Sequence, residues 1–344
     1  MQSLPLPPKV KLANLPTPLR PLDRLTQQLG GPRIWIKQDE LTELALSGNK
    51  VRKLEFVIAD ALQQGCDTLI TCGGVQSNHC RATAIAAARM GLRAHLVLRG
   101  PMEGVQDGNL LLDNLAGAEI SVYDGHYFVA NLEAIFEHWK TKYLEQGNQP
   151  YVIPMGASNG VGVWGYLSAT EEILQQASAF GFTPDALVCA TGSGGTQAGL
   201  TLGCHLLNPT IEVHGIAVCD SAAYFNAKTK TDVSEWAQRY SNLFDQLPSP
   251  EDLTAELSVS SIDRYIGPGY AQGYPELFET ISSLASLEGV FLDPVYTGKA
   301  FYGLIQEIKQ GRFANAENIV FVHTGGIFGL YPYRNIFENR AIKY

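Results

Sequence analysis

The residues LSGNKVRKL at positions 46–54 decide the fold assignment, because they place a lysine in a tight turn at the start of a predicted helix. Gly48 and Asn49 are residue types that tolerate such a turn, and they hold Lys50 at the helix start. Partial burial and the partial positive charge of a helix start favour the neutral form of a lysine amine, which is the form that makes a Schiff base. A lysine by itself is more often a solvated surface charge, so the interpretation depends on the motifs that accompany it.

A second motif, CGGVQSNH at residues 72–79, joins a predicted strand to a predicted helix. The paired glycines turn the chain, and Ser77 and Asn78 are residue types that cap a helix start. The free N–H groups of such a start favour a bound carboxylate. The alternative is a plain helix cap, with His79 as an ordinary polar residue on the helix.

A third motif, ATGSGGTQ at residues 190–197, also lies between a predicted strand and a predicted helix. Its glycines allow backbone N–H groups to surround a phosphate, with the hydroxyls of Ser193 and Thr196 in reach. No Gly-Lys-Ser/Thr follows, and Gln197 stands where a dinucleotide fingerprint has its third glycine. The motif therefore favours a phosphate site over a merely tight turn, without specifying which phosphate.

A fourth group lies towards the C-terminus and consists of Tyr270, DPVYTGK at residues 293–299 and HTGG at residues 323–326. The two longer pieces end predicted strands, where the sites of α/β proteins gather. Each piece alone is typical of a turn. Together with the lysine turn and the phosphate loop they form a set that indicates one site.

Composition narrows the class of protein. The chain has 344 residues, is 45% hydrophobic and carries a formal net charge of −9, which suits a two-domain acidic enzyme and disfavours nucleic acid or an anionic membrane as partner. The N-terminal residues 1–21 lack the apolar core of a secretory signal. No apolar run is long enough for a membrane helix. The six cysteines form no C-x-x-C pair, so we expect a cytoplasmic protein.

Strand-like and helix-like segments alternate along the chain, which predicts an α/β fold with a mainly parallel sheet and ligands at the carboxyl ends of its strands. The polar stretch 226–249 is predicted to be a helix and a loop over the site. Predicted strands are 34–36, 68–72, 94–98, 119–123, 151–153, 186–189, 213–218, 290–292 and 319–322. Predicted helices are 50–64, 78–90, 109–115, 132–144, 161–180, 196–207 and 299–309.

The motifs SGNKxRK, GGxQSNH, TGSGGT and DPVYTGK occur in this order, and with them the chain resembles the family of D-cysteine desulfhydrase and 1-aminocyclopropane-1-carboxylate deaminase over about residues 15–331. The resemblance implies pyridoxal 5'-phosphate as cofactor and the α/β fold type II of tryptophan synthase β, with two open, twisted, mainly parallel sheets flanked by helices. It implies a large domain of residues 1–52 and 159–344, a small domain of residues 53–158, and a homodimer.

The resemblance also implies a role for each residue that matches a family motif. Those expected to take part in the reaction are Lys50 as the Schiff-base lysine, Ser77, Tyr270 and Tyr296. Those expected to hold the cofactor are Lys50, Asn78 at its phenolic oxygen, Gly192, Ser193, Gly194, Gly195 and Thr196 around its phosphate, and Thr324 at its pyridine nitrogen. Those expected to contact a small amino-acid substrate are Ser77, Asn78, His79 and Thr297. No metal ligand is expected.

Two positions bear on the reaction. His79 agrees with the desulfhydrases, where the deaminases have glutamine, and Thr297 replaces the glutamate that the deaminases have after D-P-V-Y. We therefore expect β-elimination of D-cysteine to pyruvate, hydrogen sulfide and ammonia. The alternatives are cyclopropane-ring deamination and release of sulfite from cysteate on the same scaffold. A nicotinamide-dependent oxidoreductase and a non-catalytic amino-acid-binding protein are the alternatives from other classes.

Overall fold

The computed structural model describes residues 4–101 and 106–337 and contains two separate sheets. The larger sheet has the strand order β1-β2-β10-β7-β8-β9, and the smaller has the order β5-β4-β3-β6. The strands of the larger sheet are β1 (Leu19–Pro21), β2 (Arg33–Gln38), β7 (Ala186–Thr191), β8 (Glu212–Ala217), β9 (Ser260–Ile262) and β10 (Asn318–His323). Those of the smaller sheet are β3 (Thr68–Gly74), β4 (Arg93–Arg99), β5 (Glu119–Tyr123) and β6 (Pro150–Val152).

Both sheets are parallel except where β1 joins β2 in antiparallel pairing. The larger sheet takes its strands from both ends of the chain, and the smaller sheet takes its strands from the part between them. This confirms the predicted fold class. The domain boundaries at 52/53 and 158/159 stay a prediction.

Helices flank both sheets, as parallel strands require for their connections. Helix α2 is buried on nearly all sides, with 12 of its 15 residues in the interior. The first six helices are α1 (Asp23–Leu29), α2 (Asn49–Gln63), α3 (Asn78–Met90), α4 (Gly108–Leu115), α5 (Gly125–Glu145) and α6 (Trp164–Ala179). The others are α7 (Gly195–Leu207), α8 (Ala222–Tyr240), α9 (Pro250–Glu256), α10 (Pro275–Glu288), α11 (Thr297–Lys309) and α12 (Arg334–Phe337). No helix in residues 4–101 and 106–337 is long and apolar enough to cross a membrane.

The predicted strand 290–292 is wrong. Val290 and Leu292 are buried in the apolar core, which explains the strand-like pattern, but the segment is a connection without regular secondary structure outside both sheets. Its polar backbone atoms bond to side chains instead, since the Phe291 carbonyl lies 2.9 Å from Nε2 of His323. Burial without a neighbouring strand therefore produced the false strand signal.

Several short elements were not predicted, and one helix had a readable signal that was missed. Strands β1 and β9 have three residues each, which is too short for an alternating pattern. Helix α10 places Leu277, Ile281 and Leu284 on its buried face, the spacing of an amphipathic helix. The predicted helix within 226–249 is α8, which begins earlier, at Ala222.

The fold brings the carboxyl ends of strands from both sheets to one place. Gly74 at the end of β3, Arg99 at the end of β4, Gly192 after β7 and Thr324 after β10 all line the same cavity. Parallel α/β proteins bind ligands at this edge, where loops leave the strands and helices begin. The two sheets thus contribute opposite walls of one candidate site.

Candidate active site

The cavity between the two sheets has a volume of about 490 Å³ and collects most of the residues singled out in the sequence. Lys50, Ser77, Asn78, His79, Gly192, Ser193, Gly194, Thr196, Tyr270, Tyr296 and Thr324 line it. Two predicted residues, Gly195 and Thr297, do not line it. The four motifs are therefore neighbours in space, although Lys50 and Thr324 lie 274 positions apart in sequence.

Lys50 is held by a turn that only glycine can make. Gly48 has a φ of +107°, and a Cβ there would lie 2.5 Å from the carbonyl oxygen of Thr324. The next residue secures the turn to the end of β10, because the Asn49 N–H donates to that same carbonyl at 3.1 Å. The start of α2 is thus fixed against the larger sheet, and Lys50 follows directly.

A buried ion pair fixes the same turn from behind. The Arg52 guanidinium donates to both carboxylate oxygens of Asp39 at 2.8 Å, a bidentate geometry. The Gly48 N–H donates to the backbone carbonyl of Asp39 at 3.0 Å. Arg52 is 2% exposed and Asp39 is fully buried, so the pair is shielded from water. The arginine of the NKxRK motif therefore serves the turn and does not face the cavity.

The Lys50 amine has the environment of a nucleophile. Its Nζ donates to Oδ1 of Asn49 at 3.0 Å and has no carboxylate partner among the described residues. Burial first, and the charge of Arg81 second, lower the pKa of Lys50 to about 8. Lys53 is also a buried lysine, but its Nζ donates to the Gly156 carbonyl at 3.0 Å and it does not line the cavity. Lys50 alone combines a free amine, a lowered pKa and access to the cavity.

The start of α3 supplies polar groups on the opposite wall. Ser77 caps the helix, and its Oγ accepts from the Cys80 N–H at 3.2 Å. Gly73 makes this close approach possible, because a Cβ there would lie 2.5 Å from Oγ of Ser77. The Oδ1 of Asn78 accepts from Nδ2 of Asn109 at 3.0 Å.

His79 presents a hydrogen-bond acceptor. The Thr71 hydroxyl donates to the Ile153 carbonyl at 2.9 Å, so its oxygen is left to accept from Nε2 of His79 at 2.8 Å. Nδ1 of His79 is then unprotonated, and it has no partner within residues 4–101 and 106–337. Burial, and then the charges of Lys50 and Lys53, lower the pKa of His79 well below its usual value, so the ring is neutral.

The glycine loop has the open N–H groups of an anion site. It joins β7 to α7, and Gly194 has a φ of +91°. The Gly195 N–H donates to Oγ of Ser158 at 3.0 Å, whereas the N–H groups of Ser193, Gly194 and Thr196 donate to no acceptor in the part of the chain that the structure describes. The first N–H groups of a helix have no partner inside it, so this edge of the cavity is electropositive.

The loop is joined directly to the lysine turn. Nδ2 of Asn49 donates to Oγ1 of Thr196 at 2.8 Å, and both side chains are buried. The Ser158 hydroxyl donates to Oγ of Ser193 at 2.8 Å on the other side of the loop. Asn49 and Ser158 were not predicted as site residues, although Asn49 adjoins the lysine and Ser158 lies at a predicted domain boundary.

Two tyrosines lie beside Lys50. The hydroxyls of Tyr270 and Tyr296 are 2.6 Å apart, and Nζ of Lys50 is 5.9 Å from the ring centroid of Tyr296. Burial is the main cause that raises the pKa of both phenols. Both therefore remain protonated, and since one hydroxyl donates to the other, one phenolic hydrogen is left over.

The geometry corrects one expected substrate contact. The Thr297 hydroxyl donates to Oδ1 of Asp293 at 2.7 Å and accepts from the Asp293 N–H at 2.9 Å, so its capacity is used inside the turn. Thr297 is fully buried and does not line the cavity. Thr324 does line the cavity. Of the two threonines expected to face the cofactor and the substrate, Thr297 and Thr324, only Thr324 therefore reaches the cavity.

Further polar residues of the cavity were missed in the sequence. Arg99 lies 5.2 Å from the ring centroid of Tyr270 and has no acidic partner among the described residues. Lys228 donates to the buried carboxylate of Asp232 and to the Ser158 carbonyl. Arg99 follows a predicted strand directly, so its position at a carboxyl end was a usable signal; Lys228 had none.

A match to a family model agrees with this arrangement of amine and anion site. The family described as "Pyridoxal-phosphate dependent enzyme" matches residues 10–325. The chain belongs to this family. A pyridoxal-phosphate dependent enzyme needs an amine for the cofactor's aldehyde and a cradle for its phosphate. Lys50, with its lowered pKa, and the open N–H groups of the glycine loop fit both needs.

Similar members of the pyridoxal-phosphate dependent enzymes differ in the activities that their names state. A bifunctional D-cysteine desulfhydrase/1-aminocyclopropane-1-carboxylate deaminase, mitochondrial, of Arabidopsis thaliana is 42% identical, covering 95% of this chain and 80% of that protein. A putative 1-aminocyclopropane-1-carboxylate deaminase of Thermotoga maritima is 42% identical, covering 94% and 97%. A D-cysteine desulfhydrase of Salmonella choleraesuis is 41% identical, covering 95% and 96%.

Solved structures agree with the fold type II assignment of this pyridoxal-phosphate dependent enzyme. The crystal structure of an ACC deaminase homologue is 38% identical and superposes with a TM-score of 0.83, covering 96% of this chain and 95% of that one. An O-ureido-L-serine synthase at 18% identity has a TM-score of 0.66 and shares the fold. The sequence-based expectation of the family, the fold and the cofactor is confirmed.

Proposed function

We propose that this enzyme converts D-cysteine to pyruvate, hydrogen sulfide and ammonia by β-elimination. The observation that carries the proposal is that a free amine of lowered pKa, Lys50, shares a cavity with an anion cradle and a neutral tyrosine pair, without a buried carboxylate. Asp220 is the one acidic residue that lines the cavity among the described residues, and it is exposed. Two of the relatives described above carry the desulfhydrase activity in their names.

Lys50 is the residue that would hold pyridoxal phosphate and later accept the Cα proton of the substrate at Nζ. When bound, the cofactor supplies an electron sink that spreads the negative charge developing at Cα. A pKa near 8 leaves a useful fraction of the Lys50 amine neutral at neutral pH, so that Nζ is able to accept a proton. The N–H groups of Ser193, Gly194 and Thr196 would hold the phosphate.

The remaining residues would bind and orient the substrate. Ser77 and the open start of α3 would hold its carboxylate, since a helix start favours an anion. The phenolic hydrogen that is left over in the pair of Tyr270 and Tyr296 is placed to donate to an electron-rich atom of the substrate, such as its sulfur. His79, which lines the cavity with a neutral ring, remains a predicted contact to the substrate.

The lack of a buried carboxylate among the described residues that line the cavity favours elimination over ring opening. A carboxylate beside the pyridine nitrogen would keep that nitrogen protonated and strengthen the electron sink, which opening a carbon ring needs. Thr324 offers only a hydroxyl there, and a weaker sink suffices when a thiolate leaves from Cβ. Ring deamination is the second candidate, because the Arabidopsis and Thermotoga relatives carry it in their names.

Arg99 favours a third candidate on the same scaffold, the release of sulfite from cysteate. Its guanidinium lines the cavity, and no acidic residue is paired with it in the described ranges. A substrate with a sulfonate would place a second anion there, and charge-assisted hydrogen bonds to arginine are strong. D-cysteine has no such group, so the two substrates are distinguishable by this residue.

A product panel tests the proposal. Pyruvate and sulfide are measured with D-cysteine, L-cysteine, cysteate and 1-aminocyclopropane-1-carboxylate as substrates. Ring opening yields a ketone with four carbons, so the assay must separate it from pyruvate. We expect sulfide and pyruvate from D-cysteine and little product from the cyclopropane substrate. Efficient ring opening without sulfide release would replace the proposal with the second candidate.

A labelling experiment tests the lysine assignment. Borohydride reduction of the loaded enzyme, followed by peptide mapping, should place the cofactor on the peptide that contains Lys50. The variant Lys50→Ala should lose turnover while its unfolding temperature stays close to that of the unmodified protein. A label on Lys53 or Lys299 would refute the assignment.

We also infer a homodimer and a cytoplasmic location. The family resemblance supports the dimer, and light scattering of the purified protein tests it; a monomer at micromolar concentration would refute it. The described cysteines are all unpaired, and Cys72, Cys80, Cys189 and Cys204 are buried, which fits a reducing compartment. Fractionation of cells that express a tagged chain tests the location.

A further inference from the structure

Behind the cavity, three buried polar residues form a chain of hydrogen bonds that ends at Asn78. Nε of Arg81 donates to Oδ1 of Asn109 at 2.8 Å, and Nδ2 of Asn109 donates to Oδ1 of Asn78 at 3.0 Å. Arg81 and Asn109 are fully buried and Asn78 is 8% exposed. Neither Arg81 nor Asn109 lines the cavity, so neither is able to contact a ligand there.

The direction of the Asn109 amide follows from donor and acceptor chemistry. A guanidinium has donors and no acceptor, so the atom of Asn109 that faces Arg81 must be its oxygen. Its two amide hydrogens then go to Oδ1 of Asn78 and to the carbonyl of Gln76, both at 3.0 Å. Turning this amide over would set N–H against N–H and oxygen against two oxygens, so all three bonds would be lost.

The backbone holds Asn109 in place as well. Its own N–H donates to Oε1 of Gln76 at 2.9 Å, and Nε2 of Gln76 donates to the Asp107 carbonyl at 2.8 Å. Nη1 and Nη2 of Arg81 each donate to one backbone carbonyl next to the lysine turn, those of Ala45 and Ser47. Asn109 is thus fixed by Arg81 and Asn78 of α3 and by Gln76 just before that helix, and Arg81 is in turn held by the turn before α2.

The orientation passes on to Asn78. Since its Oδ1 is directed at Asn109, its Nδ2 points the other way, and Asn78 lines the cavity. Nδ2 of Asn78 donates to no acceptor within residues 4–101 and 106–337. The cavity therefore receives a fixed, unused N–H donor, which suits an anionic oxygen.

We propose that Asn109 is a positioning residue which, held by Arg81, turns the amide nitrogen of Asn78 into the cavity as a donor to an anionic oxygen of the cofactor. This inference rests on the proposed function, because it takes the ligand to be pyridoxal phosphate with its phenolic oxygen near Asn78. Without Asn109 the Asn78 amide is free to turn over and present its oxygen, which repels an anion.

Arg81 has a second effect on the site through its charge. Among acidic residues, Asp113 raises the pKa of Arg81 the most, and burial raises the pKa of the Asp113 carboxyl itself to about 8. Burial lowers the pKa of Arg81 to about 10, which still leaves it charged at neutral pH. Arg81 therefore donates to Asn109 as a charged group, and its charge also contributes to the lowered pKa of Lys50.

The variant Asn109→Asp tests the relay because it keeps the shape and the acceptor for Arg81 but has no N–H for Asn78. The matched control is Asn114→Asp on the same helix, where the side chain is exposed. We expect Asn109→Asp to weaken pyridoxal phosphate binding about tenfold or more, as for a lost hydrogen bond to a charged group. We also expect the pH midpoint of the bound cofactor's absorption change to rise, because its phenolic oxygen loses a donor. The control should change neither.

A double-variant cycle separates positioning from a structural role. If Asn109 acts through Asn78, then Asn109→Asp should have no further effect on cofactor binding in an Asn78→Ala background. A merely structural role would lower the unfolding temperature and would weaken binding in both backgrounds alike. Multiplicative losses in the double variant would overturn the proposal.

Two further measurements keep the test decisive. If Asn109→Asp does not fold, Asn78→Asp presents only oxygens to the cavity with Asn109 intact, and it should show the same weak binding and the same absorption shift. Wild-type-like binding by Asn78→Asp would refute the relay. If the unmodified protein does not bind pyridoxal phosphate, the proposed function itself fails, whereas normal binding with an unaffected Asn109→Asp refutes the relay alone.

Discussion

The lowered pKa of Lys50 predicts how fast the protein without cofactor captures pyridoxal phosphate at each pH. Only the neutral amine attacks an aldehyde, so the capture rate follows the neutral fraction of Lys50. Burial and the charge of Arg81 lower this pKa from 10.5 to about 8. At pH 7 roughly 9% of an amine with that pKa is neutral, against roughly 0.03% of an ordinary lysine, a ratio of about 300.

Stopped-flow mixing of the cofactor-free protein with pyridoxal phosphate, followed by visible absorbance between pH 6.5 and 9.5, measures this rate. We expect it to rise about tenfold per pH unit below pH 8 and to level off above it. A lysine derivative in solution serves as control and corrects for the ionisation of the cofactor itself. Its rate should keep rising to the end of the range. A protein rate that rises in parallel with the control up to pH 9.5 would show that the pKa of Lys50 is not lowered.

The same shift has a consequence for stability, and its sign follows from proton counting. Because the folded pKa lies below the unfolded value, the unfolded state binds more protons between about pH 8 and 10.5. Stability of the cofactor-free protein therefore gains from Lys50 as pH rises through this window, and the variant Lys50→Met should lack that gain. Denaturant unfolding of both proteins at pH 7.5 and 9.5 measures the difference; equal changes for both would contradict it.

Three substitutions, two of them with a comparison variant, test the glycine turns and the helix start. Gly48→Ala should lower the free energy of unfolding by ~1–3 kcal/mol, because Gly48 has a φ of +107° and a Cβ there would lie 2.5 Å from the Thr324 carbonyl oxygen. Gly30→Ala, with open space around it, should lower the free energy of unfolding less in the same denaturant assay. Ser77→Ala should raise KM about tenfold and lower kcat little, the sign of lost ground-state binding; a fall in kcat alone would contradict this. Gly195→Val should abolish cofactor binding in equilibrium dialysis, because its Cβ would lie 2.7 Å from Oγ of Ser158 and 2.9 Å from Nζ of Lys53. Thr196→Ala should weaken cofactor binding by only ~1 kcal/mol. Equal cofactor binding by both variants would show that the loop is not part of the site.

The sequence predicted which residue types form the site better than it predicted the hydrogen bonds between them. Lysine, glycines and helix-capping residues are recognisable because a tight turn or an open helix start accepts few residue types. Asn109 escaped notice because its spacing from Asn78 carries no pattern, and only the fold brings α4 against the start of α3. Thr297 was misjudged for the same reason, since a hydroxyl next to a site residue faces either a cavity or its own turn.

Local rules of backbone and side chain predicted from the sequence an α/β chain with Lys50 in a glycine turn and a phosphate loop, and the resemblance of its motifs to a known family implied pyridoxal phosphate as the cofactor. The tertiary structure decided which polar groups face the cavity, because donors and acceptors from distant segments compete for one another. Asp293 takes the Thr297 hydroxyl, and Asn109 takes the Asn78 oxygen. The burial that lowers the pKa of Lys50 is likewise a property of two sheets closing on each other, which no stretch of sequence contains.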